Sequence, residues 1–207
     1  MATFAALQSR VSTRLKDPNN EDVSAADVAT VINDAIQHWS KKQFWFNEFK
    51  EDVTLTVNDP ALVLVTNTAP VEVFKAGGMV INYAQTRWPL RKVSSENYDA
   101  MNVQGKGLPF AWAYRNDGYE VYWYPDQAYT VTVRGLKSYA ALSGSSDMND
   151  FTENALDLIV YEALSRAYAE FRQDDKMEGY YSGRAKNEYM TLRNETNRRR
   201  ATGRLGG

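Results

Sequence analysis

The sequence predicts an α+β protein: an antiparallel bundle of about four helices into which an all-β module, a small sandwich or barrel, is inserted. Three observations carry this. Apolar residues recur at spacings of three and four near both ends of the chain, and between the ends the period falls to two. The chain has 207 residues, a length that suits one domain or a compact two-part body and lets folding bury roughly 70% of the unfolded chain's surface. The expected division is a helical body from residues 1–49 and 150–197, a β-module over 50–149, and a flexible basic tail over 198–207.

The elements follow in order. Phe4, Leu7, Val11 and Leu15 mark a short first helix that "DPNN" stops. Ser24, with Asp27 three positions on, forms a capping pattern ahead of the stripe Val28, Val31, Ile32, Ala35, Ile36 and Trp39. "DVTLTVND", "ALVLVTN", and "VEVF" with "MVINY" either side of Gly77-Gly78 read as strands. "WPLRKVSSENYDAMN" is mixed, with a strand edge at Trp88-Pro89 and a helical turn from Ser94 or Ser95. A meander follows, with turns at Asn116-Asp117-Gly118 and Pro125-Asp126-Gln127. The helical period returns at Leu156 and runs to Phe171, with Thr152 as the expected cap, and after "RQDDK" a longer, more polar helix carries Met177, Tyr181, Ala185, Tyr189 and Leu192.

Composition narrows the function classes. The 43% hydrophobic and 24% charged content is that of a globular chain, and the longest apolar runs fall well short of the roughly 20 residues a membrane span needs. No secretory signal is read at the start, so the expectation is that the protein stays where it is made. Without cysteine, disulfides, thiolate catalysis and zinc-thiolate sites drop out. Charge is uneven: residues 184–207 carry a net +5 and the remaining 183 a net −7. A basic end on an acidic body suits contact with an acidic partner or a phosphate backbone, although cations also suit a helix C-terminus.

The stretch "GYEVYWYPDQAYTVTVRGL" crowds rings onto one hairpin. In a regular strand Tyr119, Val121 and Trp123 share one face, Glu120, Tyr122 and Tyr124 share the other, and Tyr129, Val131 and Val133 align across the turn. Rings on both faces, together with Trp112, mean either a small sandwich that fills its own core or a second face covered by another subunit.

No catalytic or cofactor constellation emerges, and no cofactor or metal is expected. His38 is the single histidine and has no partner for a triad or a metal set. "GSSDM" lacks the second glycine of a nucleophile elbow, "QGKGL" lacks the frame of a phosphate loop, and "DMNDF" has Phe151 where a calcium loop needs its third ligand. The carboxylate pairs Glu48 with Glu51 and Asp174 with Asp175 read as solvated charge. Arg198-Arg199-Arg200 with Arg204 suits phosphates, without the pattern of a sequence-specific reader.

The layout resembles the head-to-tail adaptor (connector) proteins of short-tailed bacteriophages. "VATVINDAIQHWSKKQFWFNE" looks like their second helix, with Asn33 inside it and an aromatic exit at Trp45-Phe46. Gly107-x-Pro109, Trp112, Gly118, Tyr124-Pro125 and Tyr129-Val131-Val133 resemble the adaptors' glycine-proline and tyrosine-proline pattern, with Gln127 where many have a second proline. The stretch from Ala155 to Tyr189 is similar to their closing helix pair. The resemblance implies a structural virion protein, not an enzyme: a ring, usually of twelve subunits, beneath the portal, extending the channel for double-stranded DNA and receiving the tail or nozzle. It implies a C-terminal segment docked on the portal protein, here Arg193, Arg198, Arg199, Arg200, Arg204 and Leu205. Phe44, Trp45 and Phe46 are expected to lock the junction of helix and β-module. The alternatives are a neck or tail-completion protein of another virion type and a cell-wall glycan hydrolase built on paired carboxylates.

Overall fold

The computed structural model describes residues 2–19, 21–64, 72–74, 77–101, 105–115 and 118–204, with 72, 203 and 204 described by their backbone alone. The protein is α+β. In chain order come α1 (Phe4–Arg14), α2 (Ala25–Ser40), β1 (Glu48–Thr54), β2 (Ala61–Leu62), β3 (Glu72–Val73), β4 (Met79–Tyr83) and β5 (Thr86–Pro89). Then follow β6 (Arg91–Lys92), α3 (Ser95–Ala100), β7 (Ala111–Arg115), β8 (Gly118–Tyr122) and β9 (Thr130–Leu136). The chain closes with α4 (Asp150–Asn154), α5 (Leu156–Ala167), one π-helical turn (Tyr168–Arg172) and α6 (Asp175–Arg204). It divides into two compact units, Met1–Asn47 with Tyr139–Gly207, and Glu48–Ser138.

In the helical unit, α1 and α2 start at hydroxyl caps: Thr3 accepts the amide of Ala6, and Ser24 accepts the amide of Asp27. Their apolar stripes, with Leu7, Val11, Val31, Ile32 and Ile36 fully buried, meet Leu158, Ile159 and Leu164 of α5 in one core. Thr152 does not cap α5. Asn149 caps the short α4, accepting the amides of Phe151 and Thr152, and the Thr152 hydroxyl closes the box on the Asn149 amide. The acidic break works through backbone geometry: Gln173 adopts φ +50° and Asp174 then accepts the amide of Met177 to start α6.

The segment 139–149 belongs with the helices, against the expected boundary at 150. Asn33 holds it with both ends of its amide, accepting from Leu142 N at 2.8 Å and donating to Leu142 O at 3.0 Å. Gln37 donates to Tyr139 O at 2.7 Å, and the amides of Phe4 and Ala5 reach Asp147 O and Ser145 O. An asparagine that a helical pattern leaves unexplained is thus the clasp between two stretches 109 residues apart.

Two carboxylates organise loops here. Asp17, 5% exposed, accepts the amides of Val23, Glu21 and Asp22, which hold its carboxyl below the usual carboxylate range, helped by the Arg172 charge. Asp147 accepts the amides of Ser143 and Gly144 and is lowered likewise. Because both folded pKa values are depressed, their stabilisation is complete above the unfolded carboxyl range of about 4 and disappears as pH falls through the folded values. Asp17→Asn should therefore lower the melting temperature at pH 7 and flatten its acid dependence below about pH 4. A mutant melting curve parallel to the wild type across that window would remove Asp17 from the account.

In the β unit, β9 is the spine of the first sheet, ordered β1-β9-β4-β5. β1 pairs with it antiparallel from Glu48↔Leu136 to Thr54↔Thr130, and β4 and β3 share its other edge end to end. "VEVF" and "MVINY" are therefore not a hairpin across Gly77-Gly78. Gly77 takes φ +68°, and a Cβ on Gly78 would sit 2.0 Å from Phe74 O, so the chain steps sideways along β9. The second sheet is ordered β2-β8-β7-β6, antiparallel except that β6 runs parallel to β7. Val131, Val133, Met79 and Ile81 of the first sheet share one core with Trp112, Val121 and Leu62 of the second. On the second sheet's other face Ala111, Ala113 and Tyr122 pack under Tyr98 and Met101, the residues of α3 and its end. That helix supplies the layer which rings on both faces demand.

Candidate docking surfaces

Sequence reading placed the cationic site in a flexible tail from 198. The chain is instead helical to Arg204, as the last turns of the 30-residue α6. Glu195 is the reason: its carboxylate accepts from Arg199 Nε at 2.7 Å and from Arg198 Nη2, three and four positions on, which is the reach of one helical turn. Arg199 lays its guanidinium 4.5 Å from the Trp45 ring centroid yet stays exposed, as do Arg193, Arg198 and Arg200. Positions 193, 197, 200 and 204 fall on one stripe at spacings of four and three. Leu205 lies outside the described residues.

The rings of "FWF" sit within the helical unit. Phe44 is 0% exposed, stacked on Phe46 at 5.1 Å and edge-on to Phe151 at 5.9 Å. Buried Asn47 ties the exit of α2, accepting from Phe44 N at 2.8 Å and donating to Lys42 O at 2.7 Å. Trp45 is half-buried, one face under Arg199. Its described contacts, with Phe46 and Arg199, lie within this unit.

The aromatic hairpin departs from simple alternation at Trp123, whose φ of +67° ends β8 and swings the ring off the face shared by Tyr119 and Val121. Trp112, Tyr119 and Tyr129 belong to the shared core, and Tyr122 to the face under α3. Trp123 remains 38% exposed, edge-on to Phe110 at 5.4 Å. Beneath it run Gly105 and Gly107, held by Tyr124 N donating to Gly105 O and Gly107 N donating to Tyr124 O, both at 3.0 Å. This is the role of the glycines in "QGKGLP": a Cβ at Gly105 would lie 2.8 Å from the Trp123 indole. Gly105→Ala should cost about 1–3 kcal/mol by overpacking and shift the tryptophan emission; an unaltered emission spectrum and midpoint would mean that the loop does not hold the ring.

Next to this clamp lies a cleft of about 470 Å³ whose walls include Pro60, Tyr98, Asp99, Arg115, Glu120 and Trp123. Arg115 spans it, donating to Glu120 at 2.8 Å and Asp99 at 2.6 Å, with its guanidinium 4.7 Å from the Tyr98 ring centroid. The Tyr98 hydroxyl donates to Val121 O at 3.0 Å, and burial, with the Glu120 charge, pushes its pKa up to about 12. It stays protonated at neutral pH. Sequence reading missed this cleft because Asp99, Arg115 and Glu120 come from three elements and none belongs to a motif.

Among the described residues no group of three or more His, Asp or Glu side chains could hold a metal ion, and no helix is long and apolar enough to cross a membrane. His38 stands edge-on to Trp39 at 4.9 Å. Asp174 is a helix cap. A cationic helix end and a ring-lined cleft are surface features that the described residues present. The chain belongs to the SU10 adaptor protein family, whose model matches residues 2–206. This is a family of phage adaptors, structural components of the virion, and the match agrees with the resemblance read from the sequence. No curated protein matches the chain.

Proposed function

We propose that this protein is a head-to-tail adaptor that forms a ring, of twelve copies in the family pattern, beneath the portal vertex. The observation that carries the reading is the family match across 2–206; the exposed arginines at the end of α6 give it a docking element. In this reading the helical unit, an antiparallel bundle carrying the β unit as an insertion, forms the ring wall. Arg193, Arg198, Arg200 and Arg204, with Leu205 as an apolar anchor, meet carboxylates on the portal. The rings of the β unit contact neighbouring subunits. The ring extends the channel for double-stranded DNA, touching it without sequence preference, and its lower face receives the tail or nozzle. Repeating a weak contact around a ring makes attachment firm, because each docked copy raises the effective concentration of the next.

The net −7 of residues 1–183 opposes close self-association in free solution. Size-exclusion chromatography with light scattering should give mainly monomer for the isolated chain, and electron microscopy should show a ring once portal is added. Absence of any association with portal would sink the assignment, and a stable ring without portal would reverse the order of assembly.

A further inference from the structure

We propose that the cleft of the β unit binds a neutral saccharide, one sugar ring lying against Trp123 while its hydroxyls bridge Asp99, Arg115 and Glu120. The cleft holds about 470 Å³, within the range of small-molecule sites, and its described walls all belong to the β unit. The exposed rings Tyr83, Trp88 and Tyr114 lie outside it and remain for contacts between copies.

The aromatic wall is set before any ligand arrives. Trp123 takes φ +67°, a left-handed backbone that a bulky side chain adopts only at a cost. The indole lies over Gly105 and Gly107 with Phe110 edge-on, so it is held in one place, yet it stays 38% exposed as a wall of the cleft. Backbone strain at a ring that the fold leaves partly uncovered points to contact with another molecule.

The polar wall is equally fixed. Arg115 donates to Glu120 at 2.8 Å and to Asp99 at 2.6 Å, and its guanidinium lies 4.7 Å from the Tyr98 ring centroid. A guanidinium carries several N–H donors and a carboxylate several acceptor sites, so the triad keeps both kinds to spare, side by side. Asp99 is the most accessible of the three, its side chain 58% exposed.

This chemistry selects among ligands. An anion meets the carboxylates of Asp99 and Glu120 against the one guanidinium of Arg115. A cation finds the place over Tyr98 already taken by Arg115. An apolar molecule would strip water from the triad and replace none of its hydrogen bonds. A sugar meets every demand: adjacent hydroxyls donate to a carboxylate and accept from the guanidinium, and its C–H face packs on an indole.

The isolated full-length chain is the sample, so the outcome does not depend on binding to portal. Saturation-transfer NMR and titration calorimetry would use neutral mono-, di- and trisaccharides of glucose, galactose, mannose and N-acetylglucosamine, with glucuronic acid and adenosine as the anionic and aromatic comparisons. At least one neutral sugar should bind at millimolar concentration, with little dependence on salt. Comparing each free sugar with its methyl glycoside distinguishes a free sugar from the end of a chain. Binding should vanish in Trp123→Gly, a change that the left-handed backbone accepts. It should weaken about tenfold or more in Asp99→Ala and persist in Trp88→Phe, at an exposed ring outside the cleft. Melting curves check that each variant is folded, and if Trp123→Gly is not, Asp99→Ala decides. No binding by any of the neutral sugars, tighter binding of glucuronic acid or adenosine, or full binding by a folded cleft variant overturns the site.

Discussion

Phe44→Ala will cost roughly 3–5 kcal/mol, because a fully buried ring leaves a cavity that its neighbours cannot close. The site is unusually constrained. Phe46 stacks on Phe44 within 4° of parallel, and Phe151 and Tyr189 stand edge-on at 5.9 Å, so three aromatic contacts disappear together. Asn47, whose side chain accepts the Phe44 amide, loses the fixed turn that keeps its own buried amide satisfied. Urea unfolding followed by far-ultraviolet circular dichroism measures the loss. Trp45→Ala should cost far less, about 1–2 kcal/mol, since the ring is half-buried and its main specific contact is the exposed Arg199. If Trp45→Ala proves the more damaging of the two, the assignment of the anchor to Phe44 is wrong.

Deleting residues 198–207 should abolish association with portal while leaving a folded protein. The deletion removes the cationic turns that follow Glu195 but not the core residues Ala185 and Leu192 of α6. The contact of Arg199 with Trp45 goes with it, as do the exposed ion pairs of Arg198 and Arg199 with Glu195, so the midpoint should fall by only a few degrees, in keeping with a loss of about 1 kcal/mol. The double substitution Arg198→Ala, Arg200→Ala keeps Arg199 on Trp45 and removes the exposed Arg198–Glu195 pair, so it should move the midpoint less than the deletion does while still weakening portal binding. A pull-down against portal together with a melting curve reads both quantities. Retained binding by the truncated chain would move the docking site elsewhere, and gross unfolding would make the arginines part of the body.

The sequence alone determined the class of fold and the family. Helical periods in α1, α2, α5 and α6, the Ser24 cap and the alternation in β1 and β9 are set by residues within one or two turns of each other, so a local pattern suffices to read them. The family likeness rested on residues whose roles the structure now supplies: Asn33 clasps Leu142, Gly107 lies under Trp123, and Val131 and Val133 face the shared core of the two sheets.

What only the tertiary structure decided involves partners far apart in the chain. The end of the β unit moved to Ser138 because the segment after it is held by hydrogen bonds from α2, which no local window contains. Trp123 left the strand alternation because a glycine loop 16 to 18 residues earlier offers its ring a flat seat, and a positive φ is the way to reach it. The basic end is helical because Glu195 and Trp45 hold Arg199, whereas composition alone reads arginine-rich, apolar-poor sequence as unstructured. The cleft between Asp99, Arg115 and Glu120 exists only once α3 folds over β7 and β8. Periodicity records which face of an element is buried; which other element covers that face is decided by long-range packing, and this is where the docking surfaces arise.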